Sequence, residues 1–133
     1  MTERLMVETS ALVAIILEEP GWKPLAEQIV NASAFTTCVN VFEAALAIVR
    51  ERKLTPVAAC EVVVDAARLL AVEITDYSAE ALPFAVAAQQ AFGSGRRRLN
   101  LGDCLSYGAA KRSRARLLYV GEDFARTDVN DPA

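Results

Sequence analysis

Five acidic residues stand where a folded chain can bring carboxylates together: Glu8, Glu43, Asp103 and the adjacent pair Glu122 and Asp123. The sequence contains no histidine, which excludes Ser-His-Asp and Cys-His triads, imidazole acid–base chemistry and histidine-held metals. Chemistry here has to run on carboxylates, hydroxyls, amines or a metal held by oxygen. Such donors suit hard cations, magnesium first and manganese next. The three cysteines, Cys38, Cys60 and Cys104, are odd in number and form no C-x-x-C pair. Neither a disulfide framework nor a structural zinc site is expected, and all three are read as small core residues.

The elements that must position these acids follow from short apolar runs alternating with helical patterns. Leu5 to Val7 reads as a first strand, and Ser10 suits the cap of a helix from Ala11 to about Glu19, stopped by Pro20-Gly21. A second helix spans roughly Lys23 to Val30. Ala34 to Thr37 gives a second strand, and Asn40 is expected to cap a helix from Val41 to about Lys53, with Glu43 in its first turn. Thr55-Pro56 opens a helix ending near Leu70. Val72 to Ile74 forms a third strand. Ser78 begins a helix to about Phe92, with Pro83 predicting a kink or a later start. After Gly93-Ser94-Gly95 come a helix from about Leu101 to Arg112 and a fourth strand from Leu117 to Val120.

Strands separated every time by helices cannot pair as hairpins. The expected fold is therefore α/β: one domain, residues 1–133, with a short parallel β-sheet covered by helices on both faces. At 133 residues and 53% hydrophobic the chain can bury a substantial core. In such sheets sites lie beyond the carboxyl ends of the strands. Glu8 follows the first strand, Glu122-Asp123 the fourth, and Glu43 and Asp103 begin helices, so all fall on one edge. Carboxylates gathered there repel one another unless a cation holds them. A divalent metal so held activates water for attack on a phosphodiester. Taken singly, each acid also fits a local role: Asn40-x-x-Glu43 has capping-box spacing, and Asp103 suits a helix start after Asn100.

The net charge of −3 and a pI of about 5.0 do not suggest a nucleic-acid binder, but the distribution does. Seven of the 14 basic residues lie between Arg96 and Arg116: Arg96, Arg97, Arg98, Lys111, Arg112, Arg114 and Arg116, with Asp103 the single acid among them. A basic patch beside an acidic body suits a phosphate-backbone reader. Lys111 and Arg112 also suit a helix C-terminus. No apolar run reaches the ~20 residues of a membrane span, and Met1 to Arg4 lacks the order of a signal peptide. A cytoplasmic protein with no membrane contact is expected.

At these residues the chain closely resembles the PIN-domain ribonucleases, in particular the VapC-type toxins of toxin–antitoxin pairs. The resemblance runs through Val7-Glu8-Thr9-Ser10-Ala11-Leu12-Val13-Ala14-Ile15 and Glu18-Glu19-Pro20, then Glu43 and Gly93-Ser94-Gly95-Arg96. Its most specific stretch is Leu99 to Tyr107, and Gly121 to Asp128 completes it. It implies a magnesium-dependent endoribonuclease, with manganese as a substitute, whose acids carry over to Glu8, Glu43, Asp103 and Asp123. Glu122 is the alternative for the fourth. Glu8, Asp103 and Asp123 would hold the metal, and Thr9 and Ser10 would hydrogen-bond around it; the charge distribution, and not the resemblance, puts Arg96, Arg97 and Arg98 against RNA. A homodimer and a VapB-like antitoxin are implied as well. One position departs from the pattern: the family has Asp where this chain has Glu8, one methylene longer. That departure supports an alternative, a catalytically weakened PIN-like module that binds RNA or a partner without turnover. A receiver-type signalling domain also gathers acids at strand ends, but Leu117 to Val120 leads to acids and not to the lysine such a domain needs.

Overall fold

A computed structural model describes residues 2–96 and 98–129. Four parallel strands, β1 (Arg4–Val7), β2 (Ser33–Thr37), β3 (Glu73–Thr75) and β4 (Arg116–Leu118), form one sheet in the order β3-β2-β1-β4. Six helices connect them: α1 (Thr9–Ile16), α2 (Trp22–Val30), α3 (Cys38–Arg52), α4 (Pro56–Leu69), α5 (Leu82–Phe92) and α6 (Leu101–Arg112).

Both faces of the sheet are buried because both sides of the strands are apolar. Alternate residues point to opposite faces. Leu5, Val7, Ala34 and Leu118 enter a core built with α1, α3 and α4, whereas Met6, Phe35 and Leu117 enter a second core with α5 and α6. The expected layering is therefore what forms.

Chain direction reverses across the sheet. From β1 the chain steps to β2 and β3 on one side, then returns past β1 to place β4 on its other side. The crevice between the carboxyl ends of β1 and β4 is thus the topological switch point, where ligands of open α/β sheets bind.

Several element boundaries differ from the sequence expectation, each for a local reason. Helix α1 stops at Ile16, where the Glu19 N–H bonds to the Ala14 carbonyl and the Glu18 N–H to that of Ile15. This is a Schellman closure with Glu18 at φ +52°, and Pro20 then keeps Glu19 out of the helix. Helix α5 begins at Leu82 with Pro83 in its first turn, preceded by a 3-10 turn at Ala79–Ala81. Pro83 thus delays the helix instead of kinking it. Helix α3 begins at Cys38, capped by Thr37, whose side chain accepts the Asn40 N–H. Asn40 is not the cap, and Glu43 lies in the second turn. The strand end supplied its own hydroxyl cap three residues earlier. The cysteines also depart from expectation: Cys104 is buried, but Cys38 and Cys60 are exposed. Cys38 lies at the open end of β2 and Cys60 on the outward side of α4.

Candidate active site

The acids reach one edge by different routes. Glu8 is the residue between β1 and α1, and its side chain is the cap of α1, accepting the Ser10 N–H at 2.8 Å and the Ser10 hydroxyl. Its own N–H donates to the Leu118 carbonyl at 2.9 Å, continuing the β1–β4 ladder to the mouth of the crevice. Ser10 Oγ accepts the Val120 N–H at 2.8 Å, joining the two strand ends again. Asp103 is fixed by a reciprocal capping box at the start of α6. Its N–H donates to Asn100 Oδ1 at 2.8 Å, and its Oδ2 accepts the Asn100 N–H at 3.1 Å. The local capping role and the site position are therefore both filled by Asp103.

Glu43 reaches across from α3, where its Oε1 accepts the Thr9 hydroxyl at 2.8 Å. Its carboxylate lies against the first turn of α6 so closely that a Cβ on Gly102 would overlap it. Glycine at 102 makes room for this acid.

Electrostatics show which charges share the crevice. Burial pushes the Glu8 carboxyl up to about 7, the two Ser10 hydrogen bonds oppose this, and repulsion from Asp103 and Glu43 adds to it. Burial also raises Asp103, opposed by the Asn100 N–H and reinforced by repulsion from Asp123 and Glu43. Carboxylates from four separate segments thus act on one another, with Asp103 at the centre. Asp123 is exposed in the turn after β4, and its charge reaches Asp103; Glu122 beside it is exposed as well.

Hard oxygen donors under mutual repulsion form a donor set that suits a divalent cation. Among the described residues no three histidine, cysteine, aspartate or glutamate side chains are gathered closely enough to hold an ion. Each of three acids is instead turned onto a neighbour: Glu8 onto Ser10, Glu43 onto Thr9 and Asp103 onto Asn100. The donors match a hard cation in kind, and a positive charge placed among them would offset their mutual repulsion.

The relatives of the chain decide what this crevice belongs to. The PIN domain family matches residues 5–130. Ribonuclease VapC30 of Mycobacterium tuberculosis (strain H37Rv) is 35% identical over 127 residues, covering 94% of this chain and 95% of that protein. The chain belongs to the VapC ribonucleases of the PIN-domain family. A VapC ribonuclease of Rhizobium meliloti is 32% identical, covering 92% of this chain and 97% of its own. Among solved structures, VapBC2 from Rickettsia felis, bound to a DNA fragment from its promoter, matches with a TM-score of 0.71 at 18% identity over 95% of this chain and 94% of that one. VapC20 of M. tuberculosis, a toxin that cleaves the sarcin–ricin loop, matches with a TM-score of 0.65 at 14% identity over 91% and 92%. These two likenesses concern the PIN fold.

Within this PIN domain a polar network behind the acids escaped the sequence reading. Asn40, Thr37 and Ser106 are buried and hydrogen-bonded to one another beneath Thr9. Asn40 resembled a helix cap, and Ser106 lies in an ordinary helical stretch, so neither carried a signal of its own.

The described residues of the basic stretch do not form one surface. Arg96 and Arg98 are exposed in the loop before α6, and Arg97 lies outside the described residues. Lys111 and Arg112 do end α6, as expected, and pair with Asp128 and Glu80 at 2.8 Å each. Arg116 begins β4 and binds Glu3 through two bonds of 3.0 Å at the opposite edge of the sheet. Among the described basic residues of this stretch, only Arg96 and Arg98 lead directly into α6 and Asp103. No helix among the described residues is long and apolar enough to cross a membrane.

Proposed function

We propose that this chain is an endoribonuclease toxin that hydrolyses RNA phosphodiester bonds at the crevice between β1 and β4. The observation that carries the reading is the delivery of carboxylates by four separate segments to the switch point of the sheet, near enough for their charges to act on one another. Glu8, Asp103 and Asp123 are the residues to hold a divalent cation, magnesium by preference and manganese as a substitute. Once bound, the cation offsets their repulsion and makes water a stronger nucleophile at phosphorus. Glu43, steadied by Thr9, orients the attacking water by accepting its hydrogen. Asp123 is favoured over Glu122 as the fourth acid, because its charge acts on Asp103. Arg96, Arg97 and Arg98 lead substrate phosphates toward Asp103.

The relative crystallised as VapBC2 supports a VapB-like antitoxin as partner. An arginine or lysine of that partner would pair with the crevice carboxylates and replace the metal's charge. We further propose a homodimer acting in the cytoplasm, and a single PIN domain over residues 1–133. Purified protein freed of antitoxin should cut an RNA pool with magnesium present and stop on chelation. An intact pool across a magnesium and manganese titration would refute the reading.

Glu8 supports a second reading, a weakened module that binds without efficient turnover. Its longer side chain folds back to cap α1 through Ser10. Glu8→Asp should then raise single-turnover cleavage by about ten- to a hundredfold, about 1.4–2.7 kcal/mol of barrier. Equal or slower cleavage by the variant would show that the pocket is built around glutamate.

A further inference from the structure

Asn40 is 1% exposed, yet carries a side chain with two donors and an acceptor into the space between α1, α3 and α6. Its Oδ1 accepts the Thr37 hydroxyl at 2.6 Å. Its Nδ2 donates to Ser106 Oγ at 2.9 Å and to Thr9 Oγ1 at 3.1 Å. Thr9 Oγ1 donates in turn to Glu43 Oε1 at 2.8 Å. A continuous chain thus runs from the carboxyl end of β2, through a buried amide, to an acid of the crevice.

Hydrogen counting fixes its direction. Nδ2 has only hydrogens to give, so Thr9 must accept there. The single hydroxyl hydrogen of Thr9 is then left for Glu43. With the amide turned over, that one hydrogen would have to serve both Asn40 and Glu43, and one contact would set lone pair against lone pair. Among the described residues no buried side-chain nitrogen or oxygen lacks a partner, as this orientation requires. Asn40 cannot drift, because its amide is tied to β2, α1 and α6 at once.

We propose that Asn40 is a positioning residue for the hydrolysis: it commits the Thr9 hydroxyl to Glu43 and so sets the direction of that carboxylate over the first turn of α6. The inference rests on the nuclease reading and names a residue that reading did not use. Asn40 touches neither substrate nor cation; it acts through Thr9. Without the amide donor, Thr9 is free to turn its hydrogen elsewhere and Glu43 loses its fixed bearing.

The test uses two variants that keep side-chain size. Asn40→Asp exchanges the amide donor for an acceptor, which draws the Thr9 hydrogen away from Glu43. Thr9→Val deletes the hydroxyl. In single-turnover cleavage of one RNA, each folded variant should be about ten- to a hundredfold slower, with RNA affinity unchanged within about twofold. The double variant should be no slower than the slower single, because both break one chain. Thr9→Ser, which retains the hydroxyl, should cleave at close to the parental rate. Parental cleavage by folded Asn40→Asp, or losses that multiply in the double variant, would overturn the proposal.

A second readout does not depend on activity. In the metal-free parent, the Asn40 side-chain amide hydrogens should exchange slowly by NMR, and Thr9→Val should shift the one facing Thr9. Rapid exchange, or an unshifted signal in Thr9→Val, would overturn the proposal even if the parent cut no RNA. An inactive parent with protected, Thr9-sensitive amide hydrogens would refute the nuclease reading while leaving the Asn40–Thr9–Glu43 linkage standing.

Discussion

Ser10 Oγ accepts the Val120 N–H at 2.8 Å while its own hydrogen goes to the Glu8 carboxylate. One hydroxyl therefore holds together the ends of β1 and β4 and the most perturbed acid of the crevice. Glu8 is buried enough that its carboxyl is raised to about 7, and would stand higher still without Ser10.

The raised value makes stability depend on pH in a definite direction. Glu8 has an ordinary value of 4.5 and a folded value of about 7. Between these, the folded state holds the proton more tightly than the unfolded chain does. Stability of the metal-free protein should therefore fall as pH rises through this window, by up to about 3 kcal/mol from Glu8 alone. Asp103 is raised as well and acts in the same direction. Urea titrations in chelator at pH 4.5 and pH 8 measure the difference, and Glu8→Gln should shrink it. An equal pH dependence in parent and variant would contradict the burial of a titrating Glu8.

Gly102 leaves space that the Glu43 carboxylate fills. Gly102→Ala places a methyl in that space, and the flexible carboxylate can yield where backbone could not. The fold should survive with melting changed by no more than a few degrees, while cleavage falls about tenfold or more through misplacement of Glu43. Parental cleavage by the variant would show that the bearing of Glu43 is immaterial.

How far the sequence foretold this site depends on whether a signal was local. The start of helix α6 was legible near Leu101, because an acid three residues after Asn100 suits a helix N-terminus; that the two form a reciprocal cap is what the structure adds. The alternation of strands and helices was enough to imply a parallel sheet and to put Glu8, Asp103 and Asp123 on one edge. Asparagine before an apolar run favours a cap, and Asn40 does not follow that preference. That local preference lost to Thr37, already in place at the strand end, and the amide turned inward instead. The pairing of Arg116 with Glu3 spans 113 positions, and no local pattern announces it. Cys38 and Cys60 show the same limit, since a residue's average tendency to be buried says nothing about which side of its helix faces out.

Arg96 and Arg98 are exposed and lead into the helix that carries Asp103. If both contact phosphates, replacing them with alanine should lower the slope of log affinity against log salt by about 1.4, at roughly 0.7 per contact on a single strand. Filter binding of a chelator-treated protein to one RNA over a salt series gives the slope. An unchanged slope would return both arginines to the role of a solvated loop.

Asp103 stands at the centre of the carboxylate repulsion, so Asp103→Asn probes the crevice most directly. The new amide still offers an oxygen to the Asn100 N–H, which preserves the cap of α6, and the lost charge relieves Glu8 and Glu43. The variant should fold as the parent does, with melting in chelator unchanged or raised. The deciding measurement is single-turnover cleavage of one RNA by both proteins as magnesium is titrated. The parental rate should rise with magnesium and vanish in chelator, and folded Asp103→Asn should not cleave. Equal rates for the two proteins at equal magnesium would contradict a cleavage site built on Asp103.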